Sequence, residues 1–342
     1  MKTALVTGGC GFLGSVIARQ LVERGTRVRV LAAPGERRDN LEGVDVEVME
    51  GDICDPRAME KAVAGREAVF HCAAIYADWM PDPTRMYDVN MRGTFNVLEA
   101  SRRAGVDKVV YTASMVAVGR PPRGSLGDEQ TAYEAWDLDF AYSRSKYHSR
   151  ELAEYFVPWG LDVRVVCPGV VFGPYDIRPT PSGKIILNAM AGGPGIYTEG
   201  GAAYVDVRDA AAVHLLAADK GRAGERYLAT AHNLTTRELV AAIDHALGRR
   251  RRLVKLPVAV ARALARQMEA RALKTGKPPM LARAMFEYSL RPNFYSNRKA
   301  VDELGATFRP IDETIRDAIE WFRGSGMARG SKGSKGSKQA AA

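Results

Sequence analysis

Short apolar runs rich in β-branched residues alternate with helical patterns over the first half of the chain. Six runs predict buried strands, at residues 3–8, 27–32, 45–50, 67–74, 107–114 and 162–169. Helical patterns lie between them, near 12–24, 56–64, 85–105 and 141–156. Alternation on this scale predicts an α/β protein, with a doubly wound parallel sheet that carries helices on both faces.

The pattern changes after residue 169. Glycine and proline become frequent over 169–201, and three amphipathic stretches follow at 206–219, 235–247 and 257–273. We therefore predict a sheet domain over 1–168, to which part of 206–235 returns. A smaller C-terminal α/β lobe over 169–323 would hold the substrate. Gly, Ser and Lys dominate the remaining residues, 324–342, as is typical of a flexible tail.

The charge of the chain narrows the choice of partners. The formal net charge is +9, but the tail contributes four basic residues and no acid. The dense cluster from Arg249 to Arg252 has no interleaved aromatic residues, so a solvated loop or a phosphate contact is favoured over a nucleic-acid site. Residues 257–274 could form a basic helix on a membrane surface, although a helix packed on the lobe is the favoured interpretation.

Hydropathy and cysteine content favour a cytoplasmic protein. No apolar run approaches the roughly 20 residues that a membrane span requires. The N-terminus enters a strand pattern at once, without the pattern of a signal peptide. The four cysteines form no C-x-x-C pair, and no cluster of His and Cys has zinc spacing. We expect reduced, buried cysteines, no metal and no stable membrane insertion.

The loop between the first strand and the first helix is rich in glycine. Its glycines fit both G-x-G-x-x-G and an offset version of that motif. Such a turn lets the backbone approach a pyrophosphate, and the helix N-terminus that follows attracts the negative charge. The pattern predicts a Rossmann domain that binds a dinucleotide. The residues expected to contact it here are Gly8, Gly11, Phe12, Leu13 and Gly14.

The end of the second strand bears on which dinucleotide binds. Enzymes that use NAD usually carry an acid there to bind the ribose 2′-hydroxyl, but this chain has Leu31, Ala32 and Ala33. Arg37 and Arg38 follow, and a guanidinium could bind a 2′-phosphate. These residues favour NADP(H), with Arg37 as a ligand. NAD(H) is the alternative, in which both arginines are ordinary surface residues.

A tyrosine and a lysine lie four residues apart in a predicted helix. Positions i and i+4 share a helix face, so Tyr142 and Lys146 can point into one site. A phenol, with a pKa of about 10, is a poor base at neutral pH, and a nearby ammonium lowers that pKa. Ser114 ends the fifth predicted strand, at the sheet edge where such folds bind ligands. The three residues together suggest proton transfer to or from a substrate oxygen.

Seven segments, in chain order, resemble the extended short-chain dehydrogenase/reductase family. They are TGGCGFLG (7–14), GDICD (51–55), HCAAI (71–75), VNMRGTFNVLEA (89–100), YTAS (111–114), YSRSK (142–146) and CPGVVFGP (167–174). The resemblance implies Ser114, Tyr142 and Lys146 as catalytic residues. It implies that Asn90 helps to hold the active-site helix or a water. Alternatively, Asn90 is a helix-interior amide that bonds a neighbouring carbonyl.

The same resemblance implies further contacts with the cofactor. Asp52 and Ile53 would lie beside the adenine, and Ala73 and Ala74 along the cofactor. The nicotinamide would lie near the end of the sixth strand. The remaining residues implied as cofactor contacts are Thr112, Tyr142, Lys146, Pro168, Gly169 and Val171.

Within this family the chain is most similar to the hopanoid-associated branch, which resembles dihydroflavonol reductases. The matching segments are GPYDIRPTPSGKII (173–186), YVDVRDAAAVHLLA (204–217) and GERYLATAHNLT (224–235). Sugar-nucleotide epimerases usually carry an asparagine after the sixth strand, where this chain has the residues from Pro168 to Val171. That departure favours an uncharged substrate. Ala113 replaces the first serine of a usual Ser-Ser pair, and Ser114 is retained.

These features predict an NAD(P)-dependent oxidoreductase. It would reduce a ketone or aldehyde, or oxidise the alcohol, with Tyr142 as general acid and base. Apolar and aromatic residues suit a lipophilic or aromatic substrate, and the candidate contacts are Tyr76, Trp79, Met115, Phe172 and Tyr175. The alternatives are a sugar-nucleotide epimerase or dehydratase and a non-catalytic dinucleotide-binding protein. Relatives often dimerise through helices equivalent to 85–105 and the Tyr142 helix, so we expect a homodimer.

Overall fold

A seven-stranded parallel sheet forms the centre of the larger part of the molecule. The computed structural model describes residues 1–134 and 140–328. The strands of this sheet are β1 (Thr3–Thr7), β2 (Arg27–Ala32), β3 (Val46–Glu50), β4 (Ala68–His71), β5 (Lys108–Thr112), β6 (Val163–Pro168) and β10 (Arg226–Ala229). Their spatial order is β10-β6-β5-β4-β1-β2-β3. Strand order reverses between β1 and β4, which confirms the predicted doubly wound sheet.

The central strands are buried along their whole length. Every residue of β1, β4 and β6 is buried, whereas β3, at the edge of the sheet, is only partly buried. Helices cover both faces of a parallel sheet, so its inner strands have no solvent-facing side. This is why they appear in the sequence as continuous apolar runs.

Twelve α-helices lie among the described residues, on the sheet and in the lobe. They are α1 (Phe12–Glu23), α2 (Pro56–Val63), α3 (Thr84–Tyr87), α4 (Thr94–Arg103), α5 (Ala141–Tyr155), α6 (Pro181–Met190), α7 (Val207–Lys220), α8 (Thr236–Ala246), α9 (Val258–Thr275), α10 (Arg283–Ser289), α11 (Arg298–Leu304) and α12 (Ile311–Gly324). The single helix predicted at 85–105 is divided, because a π-helical segment, Asp88–Gly93, separates α3 from α4. Such segments often mark functional sites.

Two apolar layers lie on opposite faces of the sheet. One layer joins the sheet to α2, α4 and α5 and includes Met59 and Leu98. The other joins it to α1, α7 and α11 and includes Ile17, Leu215 and Leu304. Burial of these layers fixes the sheet, so the carboxyl ends of its strands form a stable platform for a site.

A smaller α/β lobe packs beside the sheet. Its strands β7 (Val170–Phe172), β9 (Gly201–Asp206), β11 (His232–Thr235) and β13 (Pro292–Asn293) form a second sheet, and β8 (Ile196–Tyr197) pairs with β12 (Val254–Lys255). Helices α6, α8 and α12 pack on it around Phe172, Ile186, Ile243 and Ile315. The predicted smaller α/β lobe is therefore present.

The chain crosses between the sheet and the lobe more than once. Strand β10 joins the larger sheet, and helix α7 packs on one face of it. Both elements lie within 206–235, part of which is expected to return to the sheet domain. Helix α11 also packs on α7 and β10, which the sequence did not indicate. Residues 169–323 are thus mainly, but not wholly, lobe. Most of the predicted tail, from residue 329 onward, lies outside the described residues.

The basic stretch at 257–274 forms α9, which packs on the lobe. Ala261 and Ala265 are buried against Phe286 of α10. Arg262 pairs with Glu287 of the same helix at 2.8 Å. Over residues 1–134 and 140–328, no helix combines the length and apolarity that crossing a membrane requires.

Candidate active site

The loop that follows β1 is rich in glycine, so its backbone is not covered by side chains. Gly8 has a φ of +68°, and a Cβ there would lie 2.8 Å from the Cα and N of Ala73. A Cβ on Gly14 would lie 2.3 Å from the carbonyl oxygen of Gly8. Gly11 precedes α1, and no side chain caps that helix. The first amides of α1 are therefore available to an anion such as a pyrophosphate.

A cleft of about 590 Å³ lies at the carboxyl ends of β1, β2, β4 and β5. Among the predicted cofactor contacts, those that line it are Gly8, Gly11, Phe12, Leu13, Gly14, Asp52, Ile53, Ala73, Ala74 and Thr112. The lining residues that sequence reasoning missed are Leu31, Ala33, Pro34, Glu36, Gly51, Cys72, Ile75, Arg85, Val89 and Arg178. Ala33, Gly51, Cys72 and Ile75 directly follow a strand or a predicted contact, and that position was a usable signal. The shape and backbone of this cleft fit a dinucleotide.

Asp52 forms one end of the cleft. Its Oδ1 accepts a hydrogen bond from the N–H of Cys54 at 2.8 Å, and Nη2 of Arg85 donates to its Oδ2 at 2.8 Å. Burial opposes ionisation, but these two partners hold the pKa of Asp52 below its ordinary value. Asp52 is therefore an ionised and oriented acceptor.

The carboxylate of Glu36 lies at the end of β2, although the sequence has no acid in the last residues of that strand. Its Oε2 accepts a hydrogen bond from the N–H of Ala33 at 3.1 Å. Nη2 of Arg178, from the loop before α6, donates to its Oε1 at 2.6 Å. Both side chains line the cleft. The turn at Pro34 and Gly35, which folds the chain back, was a sequence signal for this arrangement.

The two arginines predicted to bind a 2′-phosphate have other partners. Arg37 pairs with Asp39, and Arg38 pairs with Glu50 at 3.1 Å. Neither arginine lines the cleft. Arg38 thus lies near the end of β2, because Glu50 pairs with Ala32, but its partner is an acid of β3.

The three catalytic candidates lie together at the start of α5. Lys146 is 3% exposed, and its Nζ donates to the carbonyl oxygen of Thr112 at 2.7 Å and to the hydroxyl of Tyr111 at 3.3 Å. Ser114 follows β5 and interacts with the hydroxyl of Tyr142. Ser114, Tyr142 and Lys146 are not among the residues that line the cleft, but Lys146 is bonded to Thr112, which is. The contact of Tyr142 and Lys146 with a dinucleotide stays a prediction.

Burial controls protonation at this site. Desolvation raises the pKa of Tyr142 above its usual value of 10.0, although the charge of Lys146 and a hydrogen bond with Ser114 act to lower it. Burial also lowers the pKa of Lys146, against the influence of Tyr142. The expected lowering of the Tyr142 pKa by its lysine neighbour is thus outweighed in this structure by the exclusion of water. A phenol that stays protonated at neutral pH can act as an acid.

Asn90 links α5 to the segment after β4. Its Nδ2 donates to Oγ of Ser145 at 2.9 Å and to the carbonyl oxygen of Ile75 at 3.0 Å. Its Oδ1 accepts from the N–H of Ile75 at 2.7 Å. The residue lies in the π-helical segment and is 1% exposed. This geometry suits the role of holding the active-site helix better than that of a local helix-interior bond.

Two buried histidines brace the strand ends beneath the site. His71 lies between the hydroxyls of Thr7 and Thr94, at 2.7 and 2.9 Å. His214 lies 3.0 Å from the hydroxyl of Thr112. Burial lowers the pKa of His71 to about 3 and that of His214 to about 4. Both rings are neutral at physiological pH, and both support the sheet edge.

The residues after β6 pack against the lobe. The N–H of Gly169 donates to the carbonyl oxygen of Ala229 at 3.0 Å, and a Cβ on Gly169 would lie 2.5 Å from the carbonyl oxygen of Ala203. Val171 pairs with β9. Pro168, Gly169 and Val171 are not among the residues that line the cleft. Their contact with a nicotinamide stays a prediction.

The predicted substrate contacts fall into two groups. Met115 and Phe172 are 4% and 1% exposed, and Phe172 stacks on Tyr204 with ring centroids 5.6 Å apart. These two side chains fill apolar cores instead of facing an open site. Tyr76 and Trp79 lie after β4 and are more exposed, with Tyr76 at 45%.

Tyr175, the remaining candidate, lies in the loop between β7 and α6 and does not line the dinucleotide cleft. The guanidinium of Arg19 lies over its ring, 4.7 Å from the centroid. Among the described residues it is the one non-glycine with a positive φ, at 76°. Such a backbone is strained for a bulky residue. The ring contact helps to hold the loop that carries Arg178.

Comparisons with known proteins agree with this geometry. Residues 4–229 match the NAD dependent epimerase/dehydratase family. A putative dihydroflavonol 4-reductase of Synechocystis sp. is 32% identical over 328 residues, which cover 95% of each chain. Sterol demethylase protein B of Methylococcus capsulatus is 33% identical over 336 residues, 95% of this chain and 99% of the relative. The crystal structure of gox2253 has a TM-score of 0.85 and 35% identity, covering 95% of this chain and 99% of the other.

The sheet topology and the cleft define a dinucleotide-dependent enzyme of the oxidoreductase class. The chain belongs to the NAD-dependent epimerase/dehydratase family, within the extended short-chain dehydrogenases/reductases. The family resemblance seen in the sequence is confirmed. Over the described residues, no group of three or more His, Cys, Asp or Glu side chains could hold a metal ion.

Proposed function

We propose that this enzyme interconverts a carbonyl and an alcohol on a lipophilic or aromatic small molecule. The observation that carries the proposal is the partly buried Tyr142, whose hydroxyl interacts with Ser114 and Lys146 beside the cleft. The two relatives named above refer in their names to a dihydroflavonol, which is aromatic, and to a sterol, which is lipophilic. Both names support a substrate of that kind.

The residues divide the work of the reaction. A bound nicotinamide supplies the hydride. Tyr142 donates its proton to the substrate oxygen during reduction and takes it back during oxidation. The Ser114 hydroxyl donates a hydrogen bond to the same oxygen and stabilises the developing charge. Lys146 stabilises the phenolate that remains, because its positive charge lies in the same dry site.

A substrate panel tests this proposal. The enzyme is supplied with NADH or NADPH and a set of aromatic and lipophilic ketones and aldehydes, and the absorbance of the reduced nicotinamide is followed. The matching alcohols are tested with NAD⁺ and NADP⁺. Turnover of an apolar carbonyl compound supports the proposal. Turnover confined to sugar nucleotides would overturn it.

The second candidate is a sugar-nucleotide epimerase or dehydratase, which the family description includes. A Tyr-Lys-Ser site could serve that chemistry as well. The segment from Pro168 to Val171, without an asparagine, speaks against a nucleotide-diphosphate substrate. Purified enzyme that retains NAD and epimerises a sugar nucleotide without net change in dinucleotide absorbance would favour this candidate.

We infer that NAD(H) is the preferred dinucleotide, which departs from the preference the sequence indicated. A carboxylate beside the end of β2 suits the ribose hydroxyls of NAD. Glu36 occupies that position. Arg37 and Arg38 are engaged by Asp39 and Glu50.

Dissociation constants for NADH and NADPH test this preference. Wild-type enzyme is expected to bind NADH more tightly, and Glu36→Gln to narrow the difference by about 5- to 10-fold, the scale of one charge contact. Arg37→Gln is the control and should leave the ratio unchanged. If this inference holds, the wild type does not bind NADPH more tightly than NADH. Tighter NADPH binding that Arg37→Gln abolishes would show that the NADP(H) preference indicated by the sequence is correct.

We also propose a homodimer formed through α4 and α5. Large apolar side chains are exposed on this part of the molecule: Phe95 at 41%, Tyr155 at 67% and Trp159 at 59%. Exposed apolar groups that cluster in this way favour an interface. Light scattering should report a dimer for the wild type and a monomer for Phe95→Lys with Tyr155→Lys.

A further inference from the structure

The segment after β4 places two polar residues against the catalytic tyrosine. The ring of Tyr76 lies 4.6 Å from that of Tyr142, centroid to centroid, at an interplanar angle of 49°. Asp78 follows two residues later and interacts with the Tyr76 hydroxyl. Its charge also acts to raise the pKa of Tyr142. A carboxylate therefore lies beside the proposed proton donor.

Asp78 has an oxygen that the protein leaves unsatisfied. Its Oδ1 is buried, and no residue of 1–134 or 140–328 donates a hydrogen bond to it. Buried polar atoms almost always have a partner, and burying an unpaired carboxylate opposes folding. Burial raises the pKa of Asp78, against the lowering influence of the Tyr76 hydroxyl and the Lys184 ammonium. Neither folding nor the mechanism above uses this oxygen.

We propose that Asp78 is a specificity-determining residue that accepts a hydrogen bond from a hydroxyl group of the substrate. The inference rests on the proposed function and narrows its substrate class to an apolar ketone or aldehyde with a hydroxyl near the carbonyl. Tyr142 would protonate the carbonyl oxygen while Asp78 binds the neighbouring hydroxyl. A site built around such an acceptor rejects an analogue without the donor, because the acceptor is then left unpaired.

The charges around Asp78 select a neutral donor. Lys184 acts on the carboxylate, and Lys146 acts on Tyr142 beside it. A substrate ammonium would be attracted by Asp78 but repelled by both lysines. A substrate carboxylate or phosphate would be attracted by the lysines but repelled by Asp78, so neither charge has a consistent advantage here. A hydroxyl satisfies the unpaired oxygen without adding a charge to a buried site.

A matched substrate series tests the proposal. The probes are acetophenone, its α-hydroxy, α-methoxy and α-amino derivatives, and β-hydroxypropiophenone, whose hydroxyl lies one carbon farther from the carbonyl. kcat/KM is measured with NADH and NADPH, and binding of each probe is measured calorimetrically in the presence of oxidised dinucleotide. A hydroxy ketone is expected to exceed the methoxy and unsubstituted ketones by roughly 10- to 100-fold, the scale of one buried unpaired group.

Two variants locate the effect at Asp78. Asp78→Leu should remove the preference for the hydroxy ketone, and Asp78→Asn, which keeps an acceptor oxygen, should retain part of it. Both should fold, and Asp78→Asn, which removes the buried charge but keeps an acceptor for the Tyr76 hydroxyl, should have a melting temperature close to that of the wild type. Asp82→Asn changes an exposed carboxyl of the same segment and should leave the preference unchanged.

The outcomes separate this inference from the proposed function. Reduction of all the ketones at equal rates, unchanged in Asp78→Leu, would overturn the role of Asp78 and leave the reductase standing. Selective binding of the hydroxy ketone that Asp78→Leu abolishes, without turnover, would support Asp78 and overturn the reductase. Preference for the amino ketone would overturn the inference that the substrate donor is a neutral hydroxyl. Neither binding nor turnover of any probe would count against both.

Discussion

The dinucleotide cleft and the catalytic corner lie side by side but are specified in different ways. The cleft is shaped by backbone, where glycines pack against Ala73 and the Gly8 carbonyl with no room for a Cβ. The corner is shaped by buried side chains, in which Tyr142, Lys146 and Asp78 all have shifted pKa values. The cleft depends on steric fit, and the corner depends on the exclusion of water.

This difference predicts separable defects. A change in the cleft should weaken dinucleotide binding without altering the chemistry at the substrate oxygen. A change in the corner should slow the chemistry while dinucleotide binding is preserved. Each of the following substitutions tests whether the two regions are independent.

Tyr142→Phe is expected to have the largest effect. It removes the proton donor, so kcat should fall by about 10²- to 10⁴-fold, the usual contribution of general acid catalysis. The dissociation constant for NADH and the melting temperature should stay close to those of the wild type. Tyr155→Phe, at a 67% exposed position at the end of the same helix, is the control. More than a tenth of the activity surviving in Tyr142→Phe would rule out this tyrosine as the acid.

Gly14→Ala should damage the cleft instead. The added Cβ would lie 2.3 Å from the Gly8 carbonyl oxygen, so the loop must shift. Overpacking of this kind is unfavourable by about 1–3 kcal/mol, or roughly 10- to 100-fold in NADH affinity if the loop bears it. Fluorescence titration with NADH measures the change. Gly324→Ala, where nothing lies within 4 Å, should bind normally, and equal binding by both variants would contradict the tight fit.

Asn90→Ala should produce a smaller defect, which affects both the catalytic corner and the dinucleotide cleft. It breaks the link between Ile75, beside the cleft, and Ser145 in α5. We expect kcat to fall about 10-fold, the scale of one or two lost buried hydrogen bonds, with a smaller change in KM for the dinucleotide. The pH profile of kcat should also move, because Tyr142 is then less well held.

The conservative variant distinguishes positioning by Asn90 from general destabilisation. Asn90→Asp keeps the acceptor for the Ile75 N–H and should recover part of kcat. Asn188→Ala, on the exposed side of α6, is the control. A loss of melting temperature in Asn90→Ala with unchanged kcat and pH profile would assign Asn90 to stability alone.

The pH dependence of reduction is the smallest expected effect. The pKa of Tyr142 is raised, so its acid form persists at neutral pH and well above it. The kcat for reduction should therefore be nearly constant from about pH 7 to about pH 9 and fall only above the tyrosine pKa. Oxidation needs the phenolate, so its rate should rise with pH over the same interval. A decline of reduction below pH 9 would show that Lys146, and not burial, governs the tyrosine in the working complex.

The parts of this protein that the sequence predicts are those fixed by neighbours in the chain. Gly8, Gly11 and Gly14 form one turn, so their spacing places them in the cleft. Asp52 and Ala73 were expected there from the family resemblance, and they also line the cleft. The parallel sheet with helices on both faces followed from the alternation of apolar runs and helices. The pairing of Tyr142 with Lys146 needed only the helical repeat.

The parts that the sequence missed depend on contacts between distant segments. Glu36 lines the cleft through a local turn and a partner, Arg178, that is 142 residues away. Phe172 fits a substrate site by residue type, yet the helices of the lobe close over it. The π-helical segment was missed because apolar spacing changes little when one turn widens. Sequence patterns do not contain the direction in which such side chains turn.

The ion pair between Glu36 and Arg178 has a consequence for coenzyme exchange. It joins the loop after β2 to the loop before α6, with 57% of the arginine side chain in solvent. Because the arginine lies largely in solvent, salt screens this ion pair. The reductase proposed above must release its spent coenzyme at every turnover, and an ion pair that can part and re-form suits that requirement. A coenzyme that stays bound through many turnovers would require a stronger interaction at this position.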